Sequence, residues 1–356
     1  MSHTFSFQNV TIRNRQDLSQ PEWDKFVDTT PQAWLWHQWD SQDAIDTWPG
    51  KHDLSFAIVD ADNRGEILAI MPLHRLDRPF FGVIKNCILE STGGLACAVD
   101  LSKKQREIVQ KAWLDYLFQI ADRENAESID ISLTPMSPAY RGADCPRVNP
   151  LISSGFLNSS TQTYVIELSQ SIDSIWDNME SYCRTHIRKA EKSGVTVREA
   201  KGEKDLETYY ELHCATYHRT GVKPHPLAYF QMIWEKFVDQ GKARVFFAEL
   251  NGKVIAADNE ATYKGAMSGW TAAGINDVIP GVNNLLHWKA IQWAIKNRYE
   301  FYESGEGFPG EKSGKRKGLT DFKRSFGGAL YPYFRGRLLH KDFLFHLRDT
   351  IHALQK

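Results

Sequence analysis

Apolar residues recur on one face from Lys104 to Asp122 (Ile108, Val109, Ala112, Trp113, Tyr116, Leu117, Ile120, Ala121), which predicts a helix. Helical stretches at Pro21–Asp28 and His37–Trp48 precede it, and between them and it Leu54–Asp60 and Glu66–Leu76 alternate as two strands joined by a turn ending at Gly65. A glycine-containing stretch, Glu90–Cys97, leads into the long helix, and Ser128–Leu133 is a strand after it. The second half repeats the order. Leu206–Arg219 and Leu227–Asp239 are helical, and Arg244–Leu250 and Lys253–Tyr263 form a hairpin at Asn251-Gly252. Met267–Ala273 is a third strand, Val282–Asn297 a helix opening after Pro280-Gly281, and Tyr299–Ser304 a strand.

The repeat is one of element order, not of residues. It predicts a duplicated α/β (α+β) chain, against the rival that two unrelated α+β halves happen to match. At 356 residues the chain is long for one core. We expect a domain over 1–150 and a second over 160–334, with Pro135–Ser160, rich in Pro, Gly, Ser and Asn, as the linker. The segment 335–356 is expected to pack back on the first domain.

Charge removes whole classes of partner. The formal net charge is -1, so no global field draws the chain to DNA, and polyanion binding must come from local patches. No run of 18 apolar residues exists, so no membrane span is expected, and Met1-Ser-His-Thr lacks a signal pattern. Cytoplasmic residence follows as the expectation. The 5 cysteines are scattered without a CxxC, no HExxH occurs, and His213 and His218 are wrongly spaced to share a helix face, so no metal is expected. Tyr209, Tyr210, Tyr217 and Tyr229 in the same region line an acceptor pocket or belong to the core.

Two basic segments remain. Ser169–Lys192 is an amphipathic helix with Arg184, Arg188 and Lys192 four apart on one face, suited to a phosphate or simply solvated at a helix C-terminus. Near the end, Tyr302-Glu303-Ser304-Gly305 is followed by a loop with Lys312, Lys315, Arg316 and Lys317, a mobile lid by its composition. A short amphipathic turn then carries Phe322 and Lys323 before Gly327-Gly328.

Residues 184–195 (RTHIRKAEKSGV), the hairpin FAELNGKVIAA at 247–257, the helix around Leu285–Ile291, the strand YESG at 302–305 and GLTDFKRSFGG at 318–328 occur in order. Together they resemble the Fem-type peptidoglycan-bridge transferases of the GNAT-like acyltransferase superfamily. The resemblance implies two tandem GNAT-like domains, each a twisted, mostly antiparallel mixed sheet flanked by helices. It implies transfer of an acyl or aminoacyl group to an amine, with acyl-CoA or aminoacyl-tRNA as co-substrate and a small-molecule or cell-envelope precursor as acceptor.

Residue by residue, it implies that Lys323 stabilises the oxyanion, that Phe322 packs on the donor, and that Arg184 or Arg188 meets an acceptor phosphate. Trp270 stands where the family tends to place a tyrosine, and Glu303 where it has an aspartate. Glu303, with Glu260 as a second choice, is the expected general base. The turn at Gly281, with Asn283, is what remains of a CoA phosphate loop. An N-acyltransferase using a thioester or ester donor is the leading expectation. The alternatives are a tRNA-dependent ligase adding an amino acid to a peptidoglycan precursor and a non-catalytic double-GNAT binding module.

Overall fold

The computed structural model describes residues 6–7, 9–62, 65–78, 86–275 and 279–340. The chain divides into two compact units, Met1–Ser160 with Tyr333–Lys356, and Thr161–Pro332. Among the described residues no helix is long and apolar enough to cross a membrane.

The first unit contains β1 (Ser6–Phe7), β2 (Val10–Asn14), α1 (Gln20–Thr29), α2 (Trp39–Asp46), β3 (Lys51–Asp53), β4 (Phe56–Asp60), β5 (Ile67–Met71), β6 (His74–Asp77), β7 (Cys87–Thr92) and β8 (Ala96–Cys97). The helix α3 (Lys103–Glu124), β9 (Ala126–Ser132) and β10 (Leu157–Asn158) follow. The expected single strand Glu66–Leu76 breaks at Pro72, which has no N–H to give a ladder, and its halves enter different sheets. The helix α3 is held at its start by a Ser102/Gln105 capping box and ends on Asn125 at φ 58°. Its face of Val109, Ala112, Trp113, Tyr116 and Ile120 is buried against the strands.

Residues 135–160, read as a linker, are built into this unit. Met136, Leu151 and Phe156 are buried, and the Asn149 amide donates to the Arg335 carbonyl at 2.8 Å. That carbonyl belongs to a late strand, Arg335–Leu339, which pairs antiparallel with β9 and is clamped by Arg337 on Asp130. Of the segment 335–356, residues 341–356 lie outside the described residues.

The second unit contains β11 (Thr161–Glu167), α4 (Ile172–Asn178), α5 (Ser181–Lys192), β12 (Thr196–Glu199), α6 (Glu203–Arg219), α7 (Leu227–Ile233), β13 (Ala243–Leu250), β14 (Lys253–Tyr263) and β15 (Ala266–Gly274). Then come α8 (Val282–Lys296), β16 (Phe301–Gly307), α9 (Gly314–Arg324) and β17 (Ala329–Tyr333), and the late strand of the first unit is β18. One seven-stranded sheet runs β12-β13-β14-β15-β16-β11-β17, with β15 and β16 parallel. Cys183, Ile187 and Ala190 of α5 and Leu285, Ile291 and Ala294 of α8 share its core.

Two sequence expectations are corrected here. The helix over Ser169–Lys192 is two helices, because Met179 and Glu180 are extended and the Arg184 guanidinium donates to the carbonyls of Trp176, Asp177 (2.9 Å) and Met179 at the end of α4. A side chain thus satisfies acceptors that a continuous helix would have used. The basic loop and short turn before Gly327 are mostly one helix, α9, with Lys315, Arg316 and Lys317 in its first turn. Lys317 pairs with Asp321 one turn on, and the Thr320 hydroxyl accepts from the Phe308 N–H.

Candidate functional site

The site begins with a parting of strands. Parallel β15 and β16 pair only at Ala266/Phe301, Met267/Tyr302 and Ser268/Glu303. Beyond that point each keeps its outer neighbour and loses the other. The ladders outside them are both irregular there. Trp270 is an extra residue of β15 between Gly269, opposite Glu260, and Thr271, opposite Asn259. Ser304 and Gly305 of β16 together face one residue of β11, Tyr164, and Gly305 has φ 94°. A bulge increases local twist. One bulge on each side turns the two strands apart, so that beyond Ser268 no strand among the described residues pairs with that edge of β15, and its far end at Gly274 is bonded instead to the Thr216 and Arg219 side chains of α6.

A cavity of about 440 Å³ fills the gap. Its walls are Gly269–Gly274 of β15 with Ile275 just after it, Ser304 and Gly305 of β16, Ala257 and Asp258 of β14, and Asn283, Leu286 and His287 of α8. Leu319, Phe322 and Lys323 of α9 and Thr216 and Arg219 of α6 complete them. The Lys323 ammonium donates to the Glu306 carbonyl at 2.8 Å. A Cβ on Gly305 would lie 2.7 Å from that ammonium, so glycine here makes room for it. Burial pulls the lysine's pKa below its usual value, opposed by the charges of Glu303, Glu306 and Asp258. Phe322 meets the His287 ring edge-on at 5.3 Å. Trp270 is fixed by a hydrogen bond from its Nε1 to the Tyr229 hydroxyl at 2.9 Å.

Of the residues singled out in the sequence, Lys323, Phe322, Trp270 and Asn283 therefore share one cavity. The others do not line it. Glu303 is buried, with its carboxylate taking hydrogen bonds from Thr163 Oγ1 at 2.5 Å and from Ser268 Oγ, and burial raises its pKa. Gly281 caps α8 at φ 93°, and a Cβ there would stand 2.2 Å from the His186 carbonyl, so its glycine serves the close approach of α8 to α5. Arg184 caps α4, as described, and Arg188 lies over the Trp176 ring at 5.1 Å. Tyr209, Tyr229 and His213 are buried, and the His213 and His225 rings meet tilted at 4.8 Å within this aromatic core.

Sequence reading missed a buried polar group behind Lys323. Asp258, Glu260 and His287 hold their ligand-type atoms within 4.8 Å of one another. His287 Nδ1 lies 3.2 Å from Asp258 Oδ2 and 2.8 Å from the Tyr302 hydroxyl, which donates to Glu260 Oε1 at 2.8 Å. Burial raises the pKa of both carboxyls, and their mutual repulsion adds to it for Glu260. The group could accept a cation by its donor types, yet Tyr302 already bridges two of the three members. One signal was present: Asp258-Asn259-Glu260 is a polar run inside the apolar strand Ile255–Ala261, whose residues from Ile255 to Ala261 are all buried.

The first unit offers a control. Its parallel pair, β7 and β9, stays joined from Leu89/Ile129 to Thr92/Ser132, and Gly93 N–H extends it onto the Ser132 carbonyl at 2.7 Å. No bulge interrupts the β6/β7 or β9/β18 ladders outside it. The following helix start is closed by its own capping box in α3, whereas α8 has no side-chain cap.

Residues 178–324 match the family model described as an acetyltransferase (GNAT) domain. No curated protein matches. Among solved structures, FemX is similar at 17% identity and TM-score 0.68, covering 93% of this chain and 98% of that one. A tandem GNAT protein from the clavulanic acid biosynthesis pathway is similar at 10% identity and TM-score 0.57, covering 93% and 98%. L-PGS from Bacillus licheniformis is similar at 10% identity and TM-score 0.54, covering 89% and 91%.

Proposed function

We propose that this chain, which carries a GNAT domain and is similar in fold to FemX and to a tandem GNAT protein, is an acyltransferase that moves an acyl group from a thioester or ester donor to the amino group of a small-molecule or cell-envelope precursor. One observation carries the reading: a lysine ammonium stands in the gap where two parallel strands part. An extended, amide-bearing donor arm can add to β15 as a further strand would, just beyond Ser268 where the pairing with β16 stops. Its carbonyl then lies against Lys323. When the amine attacks, charge develops on the carbonyl oxygen, and a fixed, partly desolvated ammonium stabilises that charge more than the ground state. Phe322 and Trp270 are the aromatic surfaces available to the acyl group.

Acyl-CoA is the donor we favour, because Asn283 lines the cavity at the start of α8, which has no side-chain cap and where peptide N–H groups favour phosphate. Aminoacyl-tRNA is the second donor. The exposed Lys312, Lys315 and Arg316 supply a basic surface for it at the start of α9. A cytoplasmic setting suits both donors and the 5 free cysteines.

Thermal shift separates the donors. At 100 times its dissociation constant a ligand adds about 2.7 kcal/mol, so acetyl-CoA, or else bulk aminoacyl-tRNA, raises Tm. Lys323→Ala keeps that shift and lowers turnover about 100- to 1000-fold. A protein stabilised by a donor that transfers no acyl group to any amine is a binding module, and the reading falls.

A further inference from the structure

The geometry points to His287 Nε2 as the general base that takes the proton from the attacking amine, with Asp258 and Tyr302 holding the imidazole in the required tautomer. This rests on the acyl-transfer reading and names the proton acceptor it lacks. The argument begins with a proton count. Tyr302 has one hydroxyl proton, and it is given to Glu260 Oε1 at 2.8 Å. The contact between that hydroxyl and His287 Nδ1, also 2.8 Å, then needs its proton from the ring. Asp258 Oδ2, 3.2 Å from the same nitrogen, favours a proton there too. Nδ1 therefore carries the hydrogen, and the lone pair of the neutral ring sits on Nε2.

The inner edge of the ring is thus committed to β14 and β16, while His287 and Asp258 both line the cavity that holds Lys323. Among the described residues Nε2 has no hydrogen-bond partner, and it is not one of the buried unpartnered atoms. Asp258 Oδ2 is buried without an aligned hydrogen bond. Such a contact tightens when the ring becomes an imidazolium, as catalytic hydrogen bonds do between free and loaded states. The two earlier base candidates are worse placed. Glu303 has both oxygens occupied by hydroxyls, and Glu260 is fully buried behind Tyr302.

In the transfer, the amine nitrogen forms a bond to the acyl carbon, and the carbonyl π pair moves to the oxygen beside Lys323. The amine proton passes to His287 Nε2. When the carbon–sulfur bond breaks, the electron pair leaves on sulfur, and the proton on Nε2 passes to that sulfur as the carbonyl re-forms. Amide and free thiol are the products, and no other reactant is consumed. For an ester donor, oxygen takes the place of sulfur. His287 is the catalytic residue, and Asp258 and Tyr302 are positioning residues.

The test uses the whole chain. Long-range proton–nitrogen NMR at neutral pH, with His287→Gln to assign the ring, reads the tautomer directly. We expect a protonated Nδ1 and a bare Nε2; a protonated Nε2 overturns the assignment. In parallel, thiol release from acetyl-CoA and acyl transfer from bulk aminoacyl-tRNA are followed with amino acids, amino sugars and polyamines as acceptors. His287→Gln should lower kcat at least about 100-fold and leave the acetyl-CoA thermal shift in place. Asp258→Asn should lower kcat less and move the acidic limb of the kcat/KM profile to lower pH. The charged or titratable groups facing the ring are Asp258 and Glu260 from β14, Tyr302 from β16 and Lys323 from α9, while on α5 Cys183 faces Asn284 instead.

A His287→Gln protein with wild-type kcat overturns the assignment while wild-type transfer upholds the parent reading. Wild-type protein that transfers nothing and is stabilised by neither donor overturns both.

Discussion

Gly305→Ala is the substitution that asks most directly what Lys323 does. The new Cβ would lie 2.7 Å from Nζ and 3.4 Å from Cε of Lys323. The ammonium must retreat by about 0.7–1 Å to reach an ordinary van der Waals distance. It is the far end of a flexible side chain, so the retreat itself costs the fold little. The left-handed backbone, at φ 94°, costs about 1–2 kcal/mol with an L residue, which is about 2–8 °C in Tm for a unit of this size. Catalysis is far more sensitive: a 1 Å misplacement of a catalytic group costs on the order of 100-fold. We therefore expect kcat for acyl transfer to fall about 100-fold, with the acetyl-CoA thermal shift retained. Gly310→Ala, where nothing lies within 4 Å of the new Cβ, is the silent control. The assay is transfer rate beside urea unfolding on the same preparations. A Gly305→Ala protein that keeps kcat within about twofold would show that the ammonium's position is irrelevant to the rate, and the oxyanion role of Lys323 would fail.

Other perturbations separate structural from chemical roles. Arg184→Ala strips the carbonyls of Trp176, Asp177 and Met179 of a charged donor and should cost about 1–3 kcal/mol in urea unfolding with transfer kinetics unchanged; a normal Tm with a raised KM for a phosphorylated acceptor would reverse that reading. Gly281→Ala drives a Cβ to 2.2 Å from the backbone carbonyl of His186, which has nowhere to go, so a loss of roughly 4 kcal/mol or more is expected, seen as a large fall in Tm. Glu303 has a raised pKa in the fold, so the folded state holds its proton more tightly and stability falls as pH rises from the unfolded value through the folded one. Glu303→Gln should flatten that decline above the ordinary glutamate range in urea midpoints; an unchanged slope would refute the assignment to this carboxyl.

Local signals carried the frame. Asn251-Gly252 turns the β13/β14 hairpin with φ 51° and 74°, both left-handed as that dipeptide allows. The apolar face of α3 was visible as periodicity because it packs on strands, while the start of α8 was marked by Pro280-Gly281. What stayed hidden depends on partners distant in sequence. The break between α4 and α5 follows from a guanidinium reaching back to carbonyls of the preceding helix, and no propensity encodes that reach. The helix α9 looked like a loop because Gly314 and Gly318 weaken it, and it is held by Thr320, buried against the Phe308 amide. Asp258, His287 and Tyr302 meet only when β14, α8 and β16 are assembled, so spacing alone could not join them. Arg184 and Arg188 have a residue pattern suited to phosphate, and what that pattern does not encode is that one caps a helix and the other covers a tryptophan.

The duplicated order of elements raises the question of why, among the described residues, the parallel pair parts in the second unit and not in the first. Both units place a parallel pair inside a sheet with a long helix between its two strands, α3 in the first, after the short β8, and α8 in the second. The difference lies in the outer ladders. In the first unit β6 and β18 hold β7 and β9 in regular register, so nothing rotates the inner pair apart and Gly93 even prolongs it. In the second unit Trp270 and the Ser304-Gly305 pair each insert extra backbone on the outer side, and the inner pairing stops after Ser268/Glu303. Those bulged residues also line the cavity, and Gly305 clears the path of Lys323. The residues that open the sheet and the residues that furnish the opening are therefore largely the same. A chain can repeat its order of elements and still open its sheet in one unit, because a few inserted backbone atoms decide whether a strand edge is spent on its neighbouring strand or opens onto a cavity.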